Sequence, residues 1–141
     1  MFMVLLAGWK VLLGRWGGGS DVVVGSPVAG RPRVELERVV GFFVNTLALR
    51  SRLEWSWGFR ELLAREREWV VGALAHQEAP FERVVQALAP EREPGRLPLV
   101  SVMFALQSEP MEELEFAGLR VEPLRVQPRT AKFDLDRKSV V

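Results

Sequence analysis

The sequence of 141 residues contains no cysteine and only one histidine, His76. Without thiols the chain can form neither disulfides nor thiolate metal sites, and a single imidazole cannot build a histidine-rich metal site. We therefore predict that the protein binds no metal ion. The lack of cysteine is also compatible with a reducing compartment, and we predict that the protein is cytoplasmic.

Neither charge sign is in excess, because 19 Lys and Arg residues balance 18 Asp and Glu residues to a formal net charge of +1. A nucleic-acid partner is therefore not expected, since DNA- and RNA-binding domains usually carry a basic footprint. Hydrophobic residues make up 48% and charged residues 26% of the chain, as in ordinary globular proteins. The length suits one domain with a buried core.

A hydrophobic run long enough to cross a membrane is also missing, since about 20 apolar residues in succession would be needed. The apolar start, Met1 to Leu13, contains Lys10 and lacks the leading positive charges of a secretory signal. We predict a buried helix there that ends at Gly17-Gly18-Gly19, and we expect no membrane partner. The predicted helix has no capping residue, which suggests that the true chain start lies upstream of Met1.

The rest of the chain alternates between strand-like and helix-like segments. Runs of β-branched and apolar residues predict strands at Val22–Val24, Val40–Arg50, Leu99–Leu106, Leu119–Val126 and from Lys132 onward. Helical spacing predicts a turn or helix at Glu35–Val39, Ser56–His76 and Pro80–Leu88. Glycine and proline predict loops at Gly25–Pro32 and Glu91–Pro98. This order indicates an α/β layer structure.

The predicted helix Ser56–His76 carries a dense run of charged residues. Ser56 is placed as its N-cap, and Glu61 and Arg65 are spaced to pair across one turn. We interpret the charged run as a solvated helix face rather than a binding patch.

The predicted strand Val40–Arg50 is unusual because an amide and a hydroxyl, Asn45 and Thr46, interrupt its apolar residues. Burying either group without a partner costs about 1–3 kcal/mol. Two alternatives follow. Both side chains are satisfied by neighbouring backbone in a buried strand, or both line a polar cleft.

Three stretches of the chain match, in order, the late motifs of one enzyme family. Val40 to Arg50 follows Gly, an aromatic residue, Phe-Val-Asn-Thr and a closing Arg. His76 to Glu82 follows His-Gln-Asp-x-Pro-Phe-Glu, and Arg92 to Leu99 follows Arg-Asp-x-Ser-Arg-x-Pro-Leu. Val22 to Arg31 also fits the family's strand and Gly-Ser/Thr-Pro-x-x-Gly-Arg loop. By these motifs the chain resembles the condensation domains of non-ribosomal peptide synthetases over about residues 2–135.

The chain departs from the family pattern at single positions and in one whole motif. Glu78 and Glu93 stand where Asp is usual, and Gly95 stands where Ser is usual. The family's catalytic motif, His-His-x-x-x-Asp-Gly, has no match in the sequence. That motif belongs to the N-terminal part of such domains, so the resemblance implies that this chain corresponds to the C-terminal lobe alone.

The resemblance implies a two-lobed fold like that of chloramphenicol acetyltransferase, of which this chain would be the C-terminal half, a mixed sheet flanked by helices. Intact condensation domains join a donor acyl thioester to an acceptor aminoacyl thioester, each carried on the phosphopantetheine arm of a carrier protein. The implied partners are carrier proteins and the missing N-terminal lobe, and no cofactor is expected to bind directly. Because the family's proton-transfer histidine is absent, we predict an inactive fragment without a catalytic residue.

By the same resemblance, the loop Gly25–Arg31 and the strand around Asn45 would form the floor and far wall of a tunnel between the lobes. The family motifs place the following residues at this tunnel or in its supporting segments: Ser26, Gly30, Arg31, Gly41, Asn45, Thr46, Arg50, His76, Gln77, Pro80, Phe81, Glu82, Arg92, Arg96 and Pro98. For His76 we favour a hydrogen bond at a helix junction over catalysis. For Arg31 and Arg50 we favour contacts with carboxylate or carbonyl groups over substrate binding.

Further expectations concern the chain's last third and the choice between functions. The segment Leu99–Val126 would reach across to the missing lobe. Residues Asp136 to Val141 match what read-through of a sequencing adapter would encode, so we predict that residues 1–135 form the lobe and 136–141 a non-native tail. Two alternative functions stay open: a non-catalytic module that docks carrier proteins or a complementary lobe, and a fragment of an epimerisation or heterocyclisation domain of the same fold.

Overall fold

The described part of the chain forms a four-stranded sheet and three α-helices. In the computed structural model these residues are 1–90, 98–107, 118–119, 133 and 135–140. The helices and the 3-10 turn are α1 (Phe2–Gly17), the turn Val34–Leu36, α2 (Phe59–Ala75) and α3 (Phe81–Leu88). The strands are β1 (Asp21–Val28), β2 (Asn45–Arg52), β3 (Val102–Gln107) and β4 (Leu135–Val140).

The sheet has the strand order β2-β1-β3-β4 and mixes both pairing directions. β1 and β2 pair antiparallel, from Asp21 opposite Arg52 to Val28 opposite Asn45. β3 pairs parallel with both β1 and β4. The predicted α/β class with a mixed sheet is therefore confirmed.

Helices α1 and α2 pack on one face of the sheet. Every second side chain along the paired strands β1 and β2 points toward these helices. Val24 of β1 lies opposite Leu49 of β2, and both belong to the same buried cluster as Leu6 of α1. The buried apolar cluster consists of Leu6, Ala7, Val22, Val24, Leu47, Leu49, Leu53, Leu62, Val70 and Phe104. Removing this apolar surface from water is the main force that holds the helices against the sheet.

The predicted buried helix at the start of the chain is confirmed as α1. It ends at the predicted glycines, where Gly18 adopts φ 67°, a left-handed conformation that glycine reaches without strain. Within the described ranges, none of the helices combines the length and the apolar character that a membrane span needs.

A buried ion pair joins α1 to α2, and the hydroxyl of a β2 residue completes it. Lys10 Nζ donates to Glu66 Oε1 at 2.7 Å and to Ser51 Oγ at 2.6 Å. Ser51 Oγ in turn donates to Glu66 Oε2 at 2.8 Å, and all three side chains are buried. Burial lowers the pKa of Lys10, and the carboxylate of Glu66 opposes that shift through its charge and its hydrogen bond.

The prediction that the charged run of α2 is a solvated face is therefore wrong at Glu66. Glu66 lies four residues from Leu62 and from Val70, so all three share the face that α2 buries. The predicted pairing of Arg65 is also corrected, because its Nη1 lies 3.5 Å from Oε2 of Glu68, one turn toward the C-terminus.

The strand predicted at Val40–Arg50 begins later than expected, at Asn45. β1 ends at Val28, opposite Asn45, so the stretch before Asn45 has no part of β1 beside it to pair with. β1 itself extends farther than predicted, into the segment Gly25–Pro32 that was expected to be a loop.

The helix boundaries after β2 agree with the prediction except at one cap. Trp57 N–H donates to the carbonyl oxygen of Glu54 at 3.0 Å, which places Ser56 inside a turn. Gly58 therefore occupies the N-cap of α2, and the prediction of Ser56 is wrong. The predicted second helix is confirmed as α3, with Pro80 at its N-cap.

The predictions for the last third of the chain are tested only in part. The strand predicted at Leu99–Leu106 is confirmed as β3, which begins at Val102. The loop Glu91–Pro98 and the strand region Leu119–Val126 lie largely outside the described residues. β4 overlaps both the strand expected from Lys132 and the proposed non-native tail, and the origin of that tail stays a prediction.

Candidate functional site

A cleft of about 600 Å³ opens beside the start of β2. Three segments meet there, namely the loop after β1, the irregular stretch before β2, and the junction between α2 and α3. The cleft is lined by Gly30, Pro32, Leu36, Phe42, Phe43, Val44, Asn45, Thr46, Gln77, Glu78, Pro80, Phe81 and Glu82. The structure thus brings together these residues of the sequence motifs: Gly30, Asn45, Thr46, Gln77, Pro80, Phe81 and Glu82.

Asn45, the first residue of β2, ties the strand to the helix junction. Its Nδ2 donates to the carbonyl oxygens of Gln77 at 2.9 Å and of Ala79 at 2.8 Å. Its Oδ1 accepts the backbone N–H of Phe81 at 3.1 Å. Since Pro80 makes no side-chain cap bond, Asn45 satisfies one of the donors that the first turn of α3 leaves open.

Both alternatives for Asn45, satisfaction by backbone groups and a place in the lining of a cleft, are therefore observed at once. Its amide hydrogens and its oxygen bind three backbone groups, which offsets the cost of burying a polar side chain. The same residue also lines the cleft, next to Thr46. Asn45 shapes the cleft by fixing the backbone around it.

Arg31 also binds backbone carbonyl groups, on another side of the cleft. Its Nη1 donates to the carbonyl oxygen of Leu36, and its Nη2 donates to that of Gly41 at 3.3 Å. Its guanidinium lies over the ring of Phe43, with Cζ 4.2 Å from the ring centroid. Gly30, the residue before Arg31, has φ 65°, and a Cβ there would overlap the carbonyl oxygen of Phe43, so glycine is what allows the backbone of Phe43 to pass this close to the loop. The predicted contacts of Arg31 with carbonyl groups are observed.

His76 lies at the C-terminal end of α2, outside the lining of the cleft. Its Nδ1–H donates to the carbonyl oxygen of Gly72 at 2.9 Å, which is the hydrogen bond expected at the helix junction. The ionisable groups among the described lining residues are the exposed carboxylates of Glu78 and Glu82. Across the described residues, no group of three or more His, Asp or Glu side chains could hold a metal ion.

Arg50 lies on β2 but does not line the cleft. Its Nε and Nη2 donate to the two carboxylate oxygens of Asp21 at 2.8 Å and 2.5 Å. This hydrogen bonding is the main cause that lowers the pKa of Asp21. Burial opposes the shift, and the charges of Arg50 and Arg52 add to it. The same contact raises the pKa of Arg50. The predicted contact of Arg50 with a carboxylate is observed.

Of the other motif residues, those that the structure describes do not line the cleft. Ser26 is buried and borders a second, apolar cavity of about 370 Å³ between the sheet and the helices. Gly41 supplies a carbonyl oxygen to Arg31, and Pro98 is half-buried ahead of β3. Arg92 and Arg96 lie outside the described residues.

Sequence reasoning missed most of the aromatic and apolar side of the cleft. Phe42, Phe43 and Val44 line it directly before Asn45, and Glu78 lines it beside Gln77. The strand predicted at Val40–Arg50 would place neighbouring side chains on alternate faces, whereas the stretch before Asn45 is irregular and all three of these residues line the cleft. The sequence feature that could have identified them as cleft residues was their position inside the same motif as Asn45.

Sequence comparisons connect the chain with peptide synthetases. The family profile described as "Condensation domain" matches residues 1–140. Malpinin synthetase from Mortierella alpina is 45% identical over 135 residues, which cover 96% of this chain and 2% of that protein. Tyrocidine synthase 3 from Brevibacillus parabrevis is 44% identical over 135 residues, which cover 96% of this chain and 2% of that protein. The chain thus spans only a small part of the length of these relatives.

Solved structures give the same result. The X-domain from teicoplanin biosynthesis superposes with a TM-score of 0.83 at 29% identity, over 96% of this chain and 31% of that chain. The condensation domain from Monacolin K polyketide synthase superposes with a TM-score of 0.71 at 28% identity, over 78% of this chain and 26% of that chain. These matches do not favour the docking-module, epimerisation or heterocyclisation alternatives. The chain belongs to the condensation domain family of non-ribosomal peptide synthetases, and it represents a part of such a domain.

Proposed function

We propose that the cleft forms one side of the substrate tunnel of a condensation domain, which joins an acyl thioester and an aminoacyl thioester into an amide. The proposal rests on one observation, which is that residues of separate family motifs line the same cleft. The motif around Asn45 and the motif around Pro80 lie far apart in sequence, yet the amide of Asn45 binds the backbone of the second motif at three points. Motifs that matched by chance would not be expected to share a cleft.

We infer that this chain provides only some of the groups that amide formation needs. The acceptor amine attacks the thioester carbonyl carbon, a C–N bond forms, the C–S bond breaks, and the sulfur leaves as a thiol while the amine loses a proton. General acid/base assistance to such a step is worth about 10²- to 10⁴-fold. No imidazole lies among the described lining residues, so we assign proton transfer to a histidine of the N-terminal lobe. This chain then supplies binding and shape, and alone it is expected to be inactive.

The proposed partners are carrier proteins that present their substrates on phosphopantetheine arms. The lining suits the neutral part of such an arm, because Phe42 and Phe81 offer apolar surface and Gln77 offers an amide. None of the described lining residues is Lys or Arg, so we expect the phosphate to lie outside the cleft. The arm belongs to the carrier protein, and no cofactor is proposed to bind this chain by itself.

A cytoplasmic location is part of the proposal. The absence of cysteine from the sequence is compatible with a reducing compartment. Cell fractionation with an antibody against the chain tests this, and recovery from the periplasmic or external fraction would contradict it.

A chimeric domain tests the proposed function. The matching segment of a condensation domain from tyrocidine synthase 3 is replaced by residues 1–135 of this chain. Amide formation between two loaded carrier proteins is then measured by mass spectrometry. We expect product from the chimera, and a loss of about 10-fold or more with Asn45→Ala, because misplaced walls spoil the alignment of the reactants. The matched control is Glu61→Ala, an exposed change on α2 that should leave the rate unchanged.

The isolated chain is assayed beside the chimera with the same carrier proteins. Amide formation by the isolated chain would contradict the assignment of proton transfer to the other lobe. A folded chimera that binds both carrier proteins but forms no amide would contradict the proposed function itself.

A further inference from the structure

We propose that Arg31 is a positioning residue that holds one wall of the cleft in place. The wall consists of residues Pro32–Val44, which we call the wall segment. It leaves the sheet after β1, forms the 3-10 turn Val34–Leu36 and returns to the start of β2. Within it, Pro32, Leu36, Phe42, Phe43 and Val44 line the cleft.

Hydrophobic burial does little to hold the wall segment. Val34 is 76% exposed, Phe42 is 91% exposed and Val40 is fully exposed. Leu36 and Phe43 are only half-buried. The described apolar side chains of the segment therefore gain little from leaving water, and another interaction must select its conformation.

The contacts of Arg31 supply that interaction at three separate points. Its guanidinium binds the carbonyl oxygens of Leu36 and Gly41 and lies over the ring of Phe43. The planar guanidinium of arginine suits these contacts, because it carries several N–H donors and its face can stack on an aromatic ring. The ammonium of lysine, by contrast, is a point charge. One side chain thus joins the 3-10 turn, the stretch before β2 and the aromatic side of the cleft.

The other wall is held independently. Asn45 fixes the junction between α2 and α3 through Gln77, Ala79 and Phe81, and none of these residues contacts Arg31 by a hydrogen bond. Loss of the Arg31 side chain should therefore loosen the wall segment while leaving the junction and the sheet intact.

Hydrogen exchange on the full chain tests this directly. In the wall segment, the amides of Leu36, Glu37 and Val39 donate to backbone carbonyls at 3.0–3.2 Å and report on its folding. In Arg31→Ala these amides should exchange about 10- to 100-fold faster, because two charge-assisted hydrogen bonds are lost. Amides of the β1–β2 ladder and of Phe81 should keep their wild-type rates.

Two further variants make the test specific. Arg33→Ala removes an exposed arginine from the same segment and should leave the exchange rates unchanged. Arg31→Lys keeps the charge but should fail to restore protection, because it lacks the planar guanidinium. Millimolar guanidinium chloride should partly restore protection in Arg31→Ala, with sodium chloride at the same concentration as the control.

Unchanged exchange of the wall segment in Arg31→Ala, or full protection in Arg31→Lys, would overturn the proposal. Faster exchange throughout the sheet would also overturn it, since Arg31 would then support the whole fold rather than one wall. If Arg31→Ala does not fold, the Arg31→Lys measurement decides the same question.

A kinetic measurement extends the inference to substrate, and only this part rests on the proposed function. In the chimeric domain, Arg31→Ala should raise KM for the carrier-bound substrate about 10-fold and change kcat less than about threefold, because the wall contacts substrate before and during reaction. An unchanged KM would overturn the role in positioning the substrate-facing wall. An inactive chimera with Arg31 intact would count against the proposed function alone, and hydrogen exchange would still decide the role of Arg31.

Discussion

Nζ of Lys10 and Oε1 of Glu66 lie 2.7 Å apart between α1 and α2, and both side chains are completely buried. The two residues are separated by 56 positions, so the pair forms only when the fold brings the two helices together. Removing each charge from water costs several kcal/mol, which the mutual attraction and the hydroxyl of Ser51 offset. The effect of a substitution should therefore depend on whether one charge or both are removed.

Lys10→Met should destabilise the protein by about 3–5 kcal/mol, because it leaves the Glu66 carboxylate buried without its counter-charge. Lys10→Met combined with Glu66→Leu should recover most of that loss, since no buried charge then remains. Urea unfolding of the two variants measures both effects. Arg65→Met, which removes an exposed partner of Glu68, is the control and should change stability by less than about 1 kcal/mol. A double variant as unstable as Lys10→Met would contradict the prediction.

Asn45→Ala should lower stability by about 1–3 kcal/mol, because it removes three hydrogen bonds at the start of α3. Asn45→Asp should be no milder. It keeps an acceptor for the Phe81 N–H, but it turns an oxygen toward the carbonyl groups of Gln77 and Ala79. Hydrogen exchange separates the two variants, since the Phe81 amide should stay protected only in Asn45→Asp. Equal protection of that amide in Asn45→Ala would show that Asn45 does not cap α3.

Gly30→Ala should be destabilising by about 1–3 kcal/mol or more, because a left-handed φ costs energy in any residue with a Cβ. The added Cβ would also overlap the carbonyl oxygen of Phe43. Gly8→Ala is the matched change inside α1, where a Cβ meets nothing within 4 Å, and it should stabilise by about 0.5–1 kcal/mol. Thermal unfolding should therefore shift in opposite directions for the two variants. A shift in the same direction would contradict the assigned backbone conformation at Gly30.

The contact between Asp21 and Arg50 should make stability depend on pH in the acid range. The pKa of Asp21 is lowered below its ordinary 3.8 in the folded protein, so the unfolded chain binds a proton first as the pH falls. The contribution is present above pH 3.8 and is lost as the pH falls through the folded pKa. The stability difference between wild type and Asp21→Asn should therefore shrink in acid. Arg50→Gln should remove most of the same pH dependence, because only the weaker effect of Arg52 on Asp21 then remains. A stability difference that is constant with pH would contradict this assignment.

The element types could be predicted because their signals are local. Apolar spacing identified α1, Gly17-Gly18-Gly19 marked its end, and Pro80 marked the start of α3. The length of β2 could not be predicted, because it depends on where its partner ends. Nothing in the residues Val40–Val44 themselves reports that β1 stops at Val28.

The family and the identity of the cleft motifs were determined by the sequence itself, since ordered residue patterns are properties of the chain. Only the tertiary structure decided that Glu66 is buried, because its position depends on α1 presenting Lys10 beside α2. Tertiary structure also decided which residues form the cleft. Arg31 binds carbonyl oxygens of an irregular segment, and Asn45 binds the backbone of a segment that is distant in sequence. No local sequence pattern encodes which carbonyl oxygen a side chain will reach.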